Sequence, residues 1–204
     1  IPRNPFIQFH ISPNVKEREY LTEDELKAVM THEFADSKLA YIRDIFIFAS
    51  FTALSFVDIQ ELTNDNIVEV NGEKWILSKR HKTKVAFQVK LLDIPLQIVE
   101  RYRPMQKDNR IFPGLNYWSI CKPLKRMIRE CGITKSISFH CSRHGFATLA
   151  LSKGMPIESV SRVLGHTNIV TTQLYAKITT QKLDNDLTMF GDKLSKTFNG
   201  ITMS

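Results

Sequence analysis

Short segments in the second half of the chain carry side chains that could act together on an anionic group. His140 and Arg143 are three residues apart at the expected start of a helix, and His166 and Tyr175 follow later. Residues three apart share one face of a helix, and the first turn of a helix presents unpaired N–H groups that suit an anionic oxygen. The spacing of His140 and Arg143 therefore fits the binding of a negatively charged oxygen.

Each segment by itself also has a simpler interpretation. His140 and Arg143 could belong to a capped helix with a buried histidine, and Tyr175 could be an ordinary packed side chain. A zinc site that includes His140, Cys141 and His144 is disfavoured, because no second group of ligands with metal-binding spacing occurs in the chain. We expect His144 to serve helix packing, and we expect no metal site.

The order of the segments carries more information than any one of them. The tyrosine recombinases, or phage-type integrases, share a signature of H-x-x-R-H, L-G-H and a tyrosine. This chain resembles that signature in SFHCSRHGFATLALSKG (138–154) and VSRVLGHTNIVTTQLYAK (160–177). It also resembles the family's first active-site segment in SFTALSFVDIQELTNDNI (50–67) and its β-turn lysine segment in RHKTKVAFQVKLL (80–92). The resemblance spans about residues 20–180 and implies the catalytic domain of a mobile-element integrase.

The resemblance implies a role for each matching side chain. Tyr175 would attack a DNA phosphodiester and form a covalent 3′-phosphotyrosine, leaving a free 5′-hydroxyl, without ATP, metal or another cofactor. Arg143 would hold the non-bridging oxygens, His140 would assist proton movement at the nucleophile, and His166 would hydrogen-bond the scissile phosphate. Lys82 would protonate the leaving 5′-oxygen as the general acid. The DNA-binding residues expected around it are Lys79, Arg80 and Lys84.

One position departs from the family pattern. The pattern has its first active-site arginine where this chain has Ser55, and serine supplies neither a permanent charge nor a bidentate fork. Either the site is weakened or another arginine reaches the phosphate. Our first candidate for a compensating arginine is Arg43, on a helix that must pack beside the segment carrying Ser55, and our second is Arg80. A simple pairing of Arg43 with Asp44 is the alternative.

Composition and charge narrow the class of protein. The chain of 204 residues carries 28 Lys and Arg against 21 Asp and Glu, a net charge of +7. Such an excess favours a polyanion such as DNA, although a solvated basic face would give the same count. The three cysteines, Cys121, Cys131 and Cys141, form no C-x-x-C pair, which fits a reducing bacterial cytoplasm. No apolar run approaches the roughly 18–20 residues of a membrane span, so we expect no membrane association.

The pattern along the chain predicts a mainly α fold with a small three-stranded antiparallel β-sheet. A capping box at Thr22 and Glu25 predicts one helix, and a second is expected from about Ser37 to Ser50. Asn71-Gly72 between two apolar runs predicts a hairpin, and the alternation from Val85 to Leu91 predicts a third strand. Further helices follow, and three glycines mark the ends of apolar-periodic runs: Gly132, Gly154 and Gly165.

The chain is expected to have three segments. Residues 1–20 would be a linker from a missing N-terminal DNA-binding region, 21–180 the catalytic domain, and 181–204 a C-terminal tail or helix. An apolar stripe from Leu183 to Phe198 could pack on its own domain or be exchanged with a neighbouring protomer. The implied partners are double-stranded DNA and further copies of the chain, as a homotetramer on DNA and a monomer when free.

Two other functions remain open. A type IB topoisomerase shares the nucleophile chemistry but reseals its own nick. A DNA-binding protein without activity would explain Ser55, but it has no need for a complete set of the other catalytic side chains.

Overall fold

Helices make up most of the chain. The computed structural model describes residues 19–106, 108–176 and 180–199, so the predicted linker lies outside the described residues except for Glu19 and Tyr20. The helices are α1 (Glu23–Thr31), α2 (Ser37–Thr52), α3 (Phe56–Gln60), α4 (Asp93–Tyr102), α5 (Tyr117–Glu130), α6 (His140–Ser152), α7 (Ile157–Leu164), α8 (Val170–Gln173) and α9 (Thr180–Thr197). Short 3₁₀ turns occupy Asn64–Asn66 and Arg103–Met105. The predicted mainly α fold is confirmed.

Local sequence signals set the ends of the first two helices. The hydroxyl of Thr22 accepts a hydrogen bond from the backbone N–H of Glu25 at 3.2 Å, and the Glu25 carboxylate accepts one from the N–H of Thr22 at 2.7 Å. This is the predicted capping box, which satisfies two N–H groups that the helix leaves unpaired. Helix α2 runs two residues beyond the expected end and stops at Ala53, which has a left-handed backbone with φ of 56°.

A three-stranded antiparallel sheet follows α3, in the order β1 (Ile67–Val70), β2 (Glu73–Lys79) and β3 (Ala86–Lys90). Asn71 and Gly72 both have positive φ, 53° and 78°, as the tight hairpin between β1 and β2 requires. The register pairs Lys79 with Ala86, so the β2–β3 turn spans residues 80–85. The sheet therefore presents a short basic turn at one end.

Helix α2 lies at the centre of the hydrophobic core. It contacts α1, α4, α5 and α6, and its buried apolar side chains point to all sides, among them Leu39, Ile42, Ile45, Phe46 and Phe48. A helix that is apolar all round must be covered all round. Its C-terminal end at Ala53 reaches a second, smaller apolar cluster with Ala147, Leu151, Val160 and Leu164.

This second cluster brings the predicted site segments together. It joins the end of α2 to α6 and α7, and the half-buried Tyr175 packs against it. Helix α7 ends at Gly165, whose φ is 62°, and the N–H of His166 bonds back to the carbonyl of Ser161 at 3.1 Å. Such a glycine-dependent end turns the chain sharply, so His166 lies next to the end of α7.

Candidate active site

Arg143 is anchored at the junction of α2, α6 and α7. Its Nη1 donates to the carbonyl of Ala53 at 2.8 Å, and its Nη2 donates to the carbonyl of Leu164. Both carbonyls stand at helix C-termini, where unpaired C=O groups carry partial negative charge. Burial, and after it the neighbouring charge of Arg80, lowers the pKa of Arg143 to about 10. The guanidinium is therefore fixed, partly desolvated and still charged at neutral pH.

Arg80 is the second guanidinium of the site. It is only 5% exposed, and its Nη2 donates to the carbonyl of Val163 at 2.5 Å, one residue before the carbonyl that Arg143 binds. Its Nη1 forms an ion pair with Asp58 at 2.7 Å, and its Cζ lies 4.1 Å from the centre of the Phe87 ring. Two arginines thus share the C-terminal end of α7. Burial lowers the pKa of Arg80, while its hydrogen bond with Asp58 opposes that shift.

Ser55, which stands where the family pattern has an arginine, caps helix α3. Its hydroxyl caps α3 by accepting from the N–H of Asp58 at 3.3 Å, and it donates to the Asp58 carboxylate at 2.7 Å. The same carboxylate receives Arg80. Burial opposes ionisation of Asp58, but its hydrogen bonds, first that from the His81 N–H and then that from Arg80, hold its pKa below the usual value. Asp58 therefore links Ser55 to Arg80.

His166 is held as a neutral side chain. Its Nδ1 lies 2.9 Å from the hydroxyl of Thr172, which is fully buried. Burial lowers the pKa of His166 to about 4, and the charges of Arg143, Arg80 and His140 act in the same direction. His166 follows directly on the helix end whose carbonyls bind Arg80 and Arg143, so the positive charges of both arginines act on its ring. A neutral imidazole whose Nδ1 is already engaged leaves Nε2 for another hydrogen bond.

Tyr175 completes the cluster. Its ring centre lies 5.1 Å from that of His144, which in turn lies 4.5 Å from that of His140. The charge of Tyr175 also acts on the pKa of Arg143, so the phenol lies within electrostatic reach of that guanidinium. The structure thus brings four of the sequence-predicted site residues into one region: Tyr175, His140, His166 and Arg143. It also places His144, which we expected only to pack the helix, between His140 and Tyr175.

Lys82 lies at the tip of the β2–β3 turn. It is exposed, as are the predicted DNA-binding residues Lys79 and Lys84, whereas Arg80 points inward. The N–H of Lys84 donates to the carbonyl of Arg80 at 2.9 Å, which closes the turn. Arg80, at one end of this turn, is therefore buried next to Arg143, whereas Lys82, at the tip, is exposed to solvent.

Arg43, the first candidate for a compensating arginine, occupies another environment. It donates to Asp44 at 2.9 Å and to the carbonyl of His32 at 2.9 Å, and it lies over the Phe34 ring. Asp44 is itself buried and also binds Arg101 and Tyr102. Our preference for Arg43 is therefore corrected: of the two candidates, Arg80 is the one beside Arg143. The physical reason is that the buried carboxylate of Asp44 requires a cation.

Sequence reasoning missed the residues that hold the cluster in place. Asp58 orients Arg80, Thr172 engages His166, and Gly165 makes room for the Arg80 side chain. Asp58 lies three positions after Ser55, and this spacing could have predicted a capping box. The spacing gives no sign of the bond between Asp58 and Arg80. Among the described residues, no group of three or more His, Cys, Asp or Glu side chains is arranged to hold a metal ion. In that same part of the chain, no helix has both the length and the apolarity to span a bilayer.

Comparison with known proteins identifies the family and the fold. The model of the phage integrase family matches residues 19–182. Tyrosine recombinase XerA of Pyrococcus horikoshii is 32% identical over 177 residues, which cover 80% of this chain and 58% of that protein. A crystal structure of XerA recombinase matches 84% of this chain and 65% of that one, with a TM-score of 0.67 and 21% identity. The Tn1549 transposon integrase, solved in complex with transposon right end DNA, matches 94% of this chain and 72% of that one, with a TM-score of 0.74 and 16% identity.

The helical fold with its small sheet is shared with the solved structures of XerA recombinase and the Tn1549 integrase. The chain belongs to the phage integrase family, and its curated relatives are named tyrosine recombinases. Both the predicted family and the predicted fold class are confirmed. The chain spans a little under three fifths of the length of the XerA relative.

Proposed function

We propose that this chain is the catalytic domain of a site-specific DNA recombinase of a mobile element, with Tyr175 as the nucleophile. The observation that carries the proposal is one cluster at the end of α7. Arg80 and Arg143 bind adjacent carbonyls there, next to His166, and His144 lies between His140 and Tyr175. These residues come from separate segments of the chain, and they place one buried and one partly buried guanidinium at the same helix end. A scissile phosphate bound there would meet positive charge where the transition state accumulates negative charge.

In the proposed reaction, the oxygen of Tyr175 forms a bond to phosphorus while the bond from phosphorus to the 5′-oxygen breaks. The product is a 3′-phosphotyrosine, which stores the bond energy, so rejoining needs neither ATP nor a metal. A phenol ordinarily has a pKa near ~10, so attack at neutral pH requires a cationic pocket or a base. Arg143 supplies the charge, and His140 assists the proton that leaves Tyr175.

Arg80 takes the place of the arginine that the family pattern has at Ser55. It sits beside Arg143 with Nη1 on Asp58 and Nη2 on the carbonyl of Val163. When a phosphate binds, both guanidiniums exchange hydrogen bonds to helix-end carbonyls for bonds to the non-bridging oxygens. The neutral His166 donates a hydrogen bond from Nε2 to the same phosphate. Lys82 reaches the leaving 5′-oxygen from the turn and protonates it, while Lys79 and Lys84 bind the DNA backbone.

The partner is double-stranded DNA, and the working assembly is a homotetramer on DNA formed from free monomers in a bacterial cytoplasm. Residues 21–180 form the catalytic domain, and residues 1–20 link it to a further DNA-binding region. The segment 181–204 docks onto a neighbouring protomer. Support for this docking comes from α9, where an apolar stripe is largely exposed: Leu183, Leu187, Phe190, Leu194 and Phe198. Support for the DNA partner comes from the net charge of +7.

The proposal is tested with a library of nicked duplexes that have randomised arms, so that the target site need not be known. The protein is incubated with the library and adducts are recovered from a denaturing gel. We expect DNA linked to Tyr175, with enriched arm sequences and no adduct from Tyr175→Phe. Adducts at another residue, or none from the full-length protein, would reject the proposal and favour a DNA-binding protein without activity.

A second assay separates recombination from topoisomerase activity. The enriched site is placed on two duplexes and, separately, on a supercoiled plasmid. Strand exchange between the duplexes is expected from a recombinase. Relaxation of the plasmid without exchange between duplexes would instead assign a type IB topoisomerase.

A further inference from the structure

The turn that carries Lys82 is attached to the end of α3 through its neighbour His81. The backbone N–H of His81 donates to Oδ1 of Asp58 at 3.0 Å. The ring Nδ1 of His81 lies 2.8 Å from Oε1 and 2.9 Å from Oε2 of Glu61, so the ring donates to that carboxylate. Asp58 and Glu61 are three residues apart, which places both carboxylates on one side of α3, facing the turn.

This contact contributes little to folding. The side chains of His81 and Glu61 are 49% and 53% exposed, and ion pairs with that exposure are weak because water screens them. Arg80, one residue earlier, is buried and carries the stronger bond to Asp58. The main effect of the His81–Glu61 contact is therefore on the position of the turn, and its effect on the stability of the fold is small.

The turn has little freedom once His81 is fixed. Its closing bonds run from the N–H of Lys84 to the carbonyl of Arg80 at 2.9 Å and from the N–H of Arg80 to the carbonyl of Val85 at 2.8 Å. Lys84 adopts a left-handed backbone with φ of 56°. Lys82 is the next residue after His81 and lies at the tip. Fixing the His81 ring therefore limits how far the Cα of Lys82 can swing relative to α3.

We propose that His81 and Glu61 form a clasp that positions Lys82 for proton transfer to the leaving 5′-oxygen. They are positioning residues and need not touch DNA. The inference rests on the proposed function, in which Lys82 gives a proton from Nζ to that oxygen as the phosphorus–oxygen bond breaks. General acids act only within hydrogen-bond reach of the atom they protonate, so a small displacement of the turn costs rate.

The test compares two scissile groups, one with the natural 5′-oxygen and one with sulfur in that bridging position. A thiol has a pKa of about 8.5, so a thiolate leaves without a proton, whereas an alkoxide does not. Lys82→Ala should lose roughly 10²- to 10⁴-fold in adduct formation on oxygen and recover on sulfur. Glu61→Ala and His81→Ala should each lose on the order of 10-fold on oxygen, a part of the general-acid effect, and nothing on sulfur.

A matched control is available in the same hairpin. Glu73 and Lys90 form an ion pair of 2.8 Å with similar exposure, away from the turn. Glu73→Ala should leave both substrates at the wild-type rate. The double variant Glu61→Ala/Lys82→Ala should be no slower than Lys82→Ala alone, because the clasp acts only through Lys82.

Three results would overturn the clasp. Equal losses on oxygen and sulfur would mean that the variants disturb the whole site. Wild-type rates of Glu61→Ala and His81→Ala on oxygen would mean that the contact positions nothing. If wild-type protein forms no adduct with either substrate while it still binds the duplex, the proposed function itself fails, and the clasp fails with it.

Discussion

Gly165 lies directly against the side chain of Arg80. A β-carbon built at position 165 would stand 2.8 Å from Nε and 3.0 Å from Cγ of Arg80, and the glycine has φ of 62°. The end of α7 and the buried arginine therefore occupy space that only a glycine leaves open. This contact explains why the α7 helix end and the β2–β3 turn, about 85 residues apart in the chain, meet at one point.

Gly165→Ala should therefore damage both stability and activity. A left-handed alanine costs about 1–2 kcal/mol, and the clash adds a displacement of Arg80. The control is Gly132→Ala, which has φ of 74° and nothing within 4 Å of the added carbon. Chemical denaturation should show a loss in both variants, whereas adduct formation should fall only in Gly165→Ala. Equal adduct yields would mean that Arg80 tolerates the displacement or has no role.

Ser55→Ala should show whether Ser55 affects the reaction through Asp58 and Arg80, in addition to its effect on stability as the cap of α3. The variant loses the α3 cap, which costs about 1 kcal/mol, and it also loses the hydrogen bond to Asp58. Thr22→Ala removes the equivalent capping box of α1, whose hydrogen bonds involve neither Asp58 nor Arg80, and should cost about the same. We expect adduct formation to slow several-fold in Ser55→Ala and to stay unchanged in Thr22→Ala. A normal rate in Ser55→Ala would show that Asp58 holds Arg80 without help.

His166 should make the stability of the protein depend on pH. Its pKa is about 4 when folded and about 6.5 when unfolded, so between these values the unfolded chain binds the proton and the folded chain does not. The stabilisation is complete above pH 6.5 and is lost as the pH falls through this window. His166→Asn should flatten the dependence by up to ~1.4 kcal/mol per pH unit. Urea unfolding at several pH values measures both slopes, and identical slopes would contradict the buried neutral state.

Local features of the chain were predictable, because they depend on neighbouring residues. The capping box at Thr22, the hairpin at Asn71-Gly72 and the face shared by His140 and Arg143 all follow from short spacings. The partner of Arg80 could not be predicted in this way. Asp58 is 22 residues away and the carbonyl of Val163 is 83 residues away, so both contacts depend on the packing of the whole domain.

The choice between Arg43 and Arg80 also depended on long-range packing, which short sequence spacings do not predict. The expectation that the helix of Arg43 packs beside the segment carrying Ser55 made Arg43 the better candidate. However, α2 makes several turns, and the face on which a residue lies decides which elements it meets. Arg43 contacts His32 and Phe34 between α1 and α2. The Asp44 carboxylate that it binds also accepts hydrogen bonds from Arg101 and Tyr102 of α4. His144 differs from its expected role for a similar reason, since its contact with Tyr175 crosses 31 residues of chain.

The role of Arg80 at the scissile phosphate is the central claim, and charge removal from the substrate tests it most directly. The measurement is the rate of adduct formation on a normal phosphodiester and on a neutral methylphosphonate at the same position. Arg80→Lys should lose roughly 10²- to 10³-fold on the phosphodiester, because lysine lacks the bidentate fork. Thermal unfolding checks that the variant is folded, and Arg43→Ala is the control that should keep the wild-type rate.

On the methylphosphonate the negative charge that Arg80 would neutralise is absent. We therefore predict that Arg80→Lys recovers most of the wild-type rate on this substrate, while Lys82→Ala, which acts on the leaving oxygen, does not. A loss of the same size on both substrates in a folded Arg80→Lys variant would contradict the account. Arg80 would then support the fold, and the charge missing at Ser55 would have to come from elsewhere.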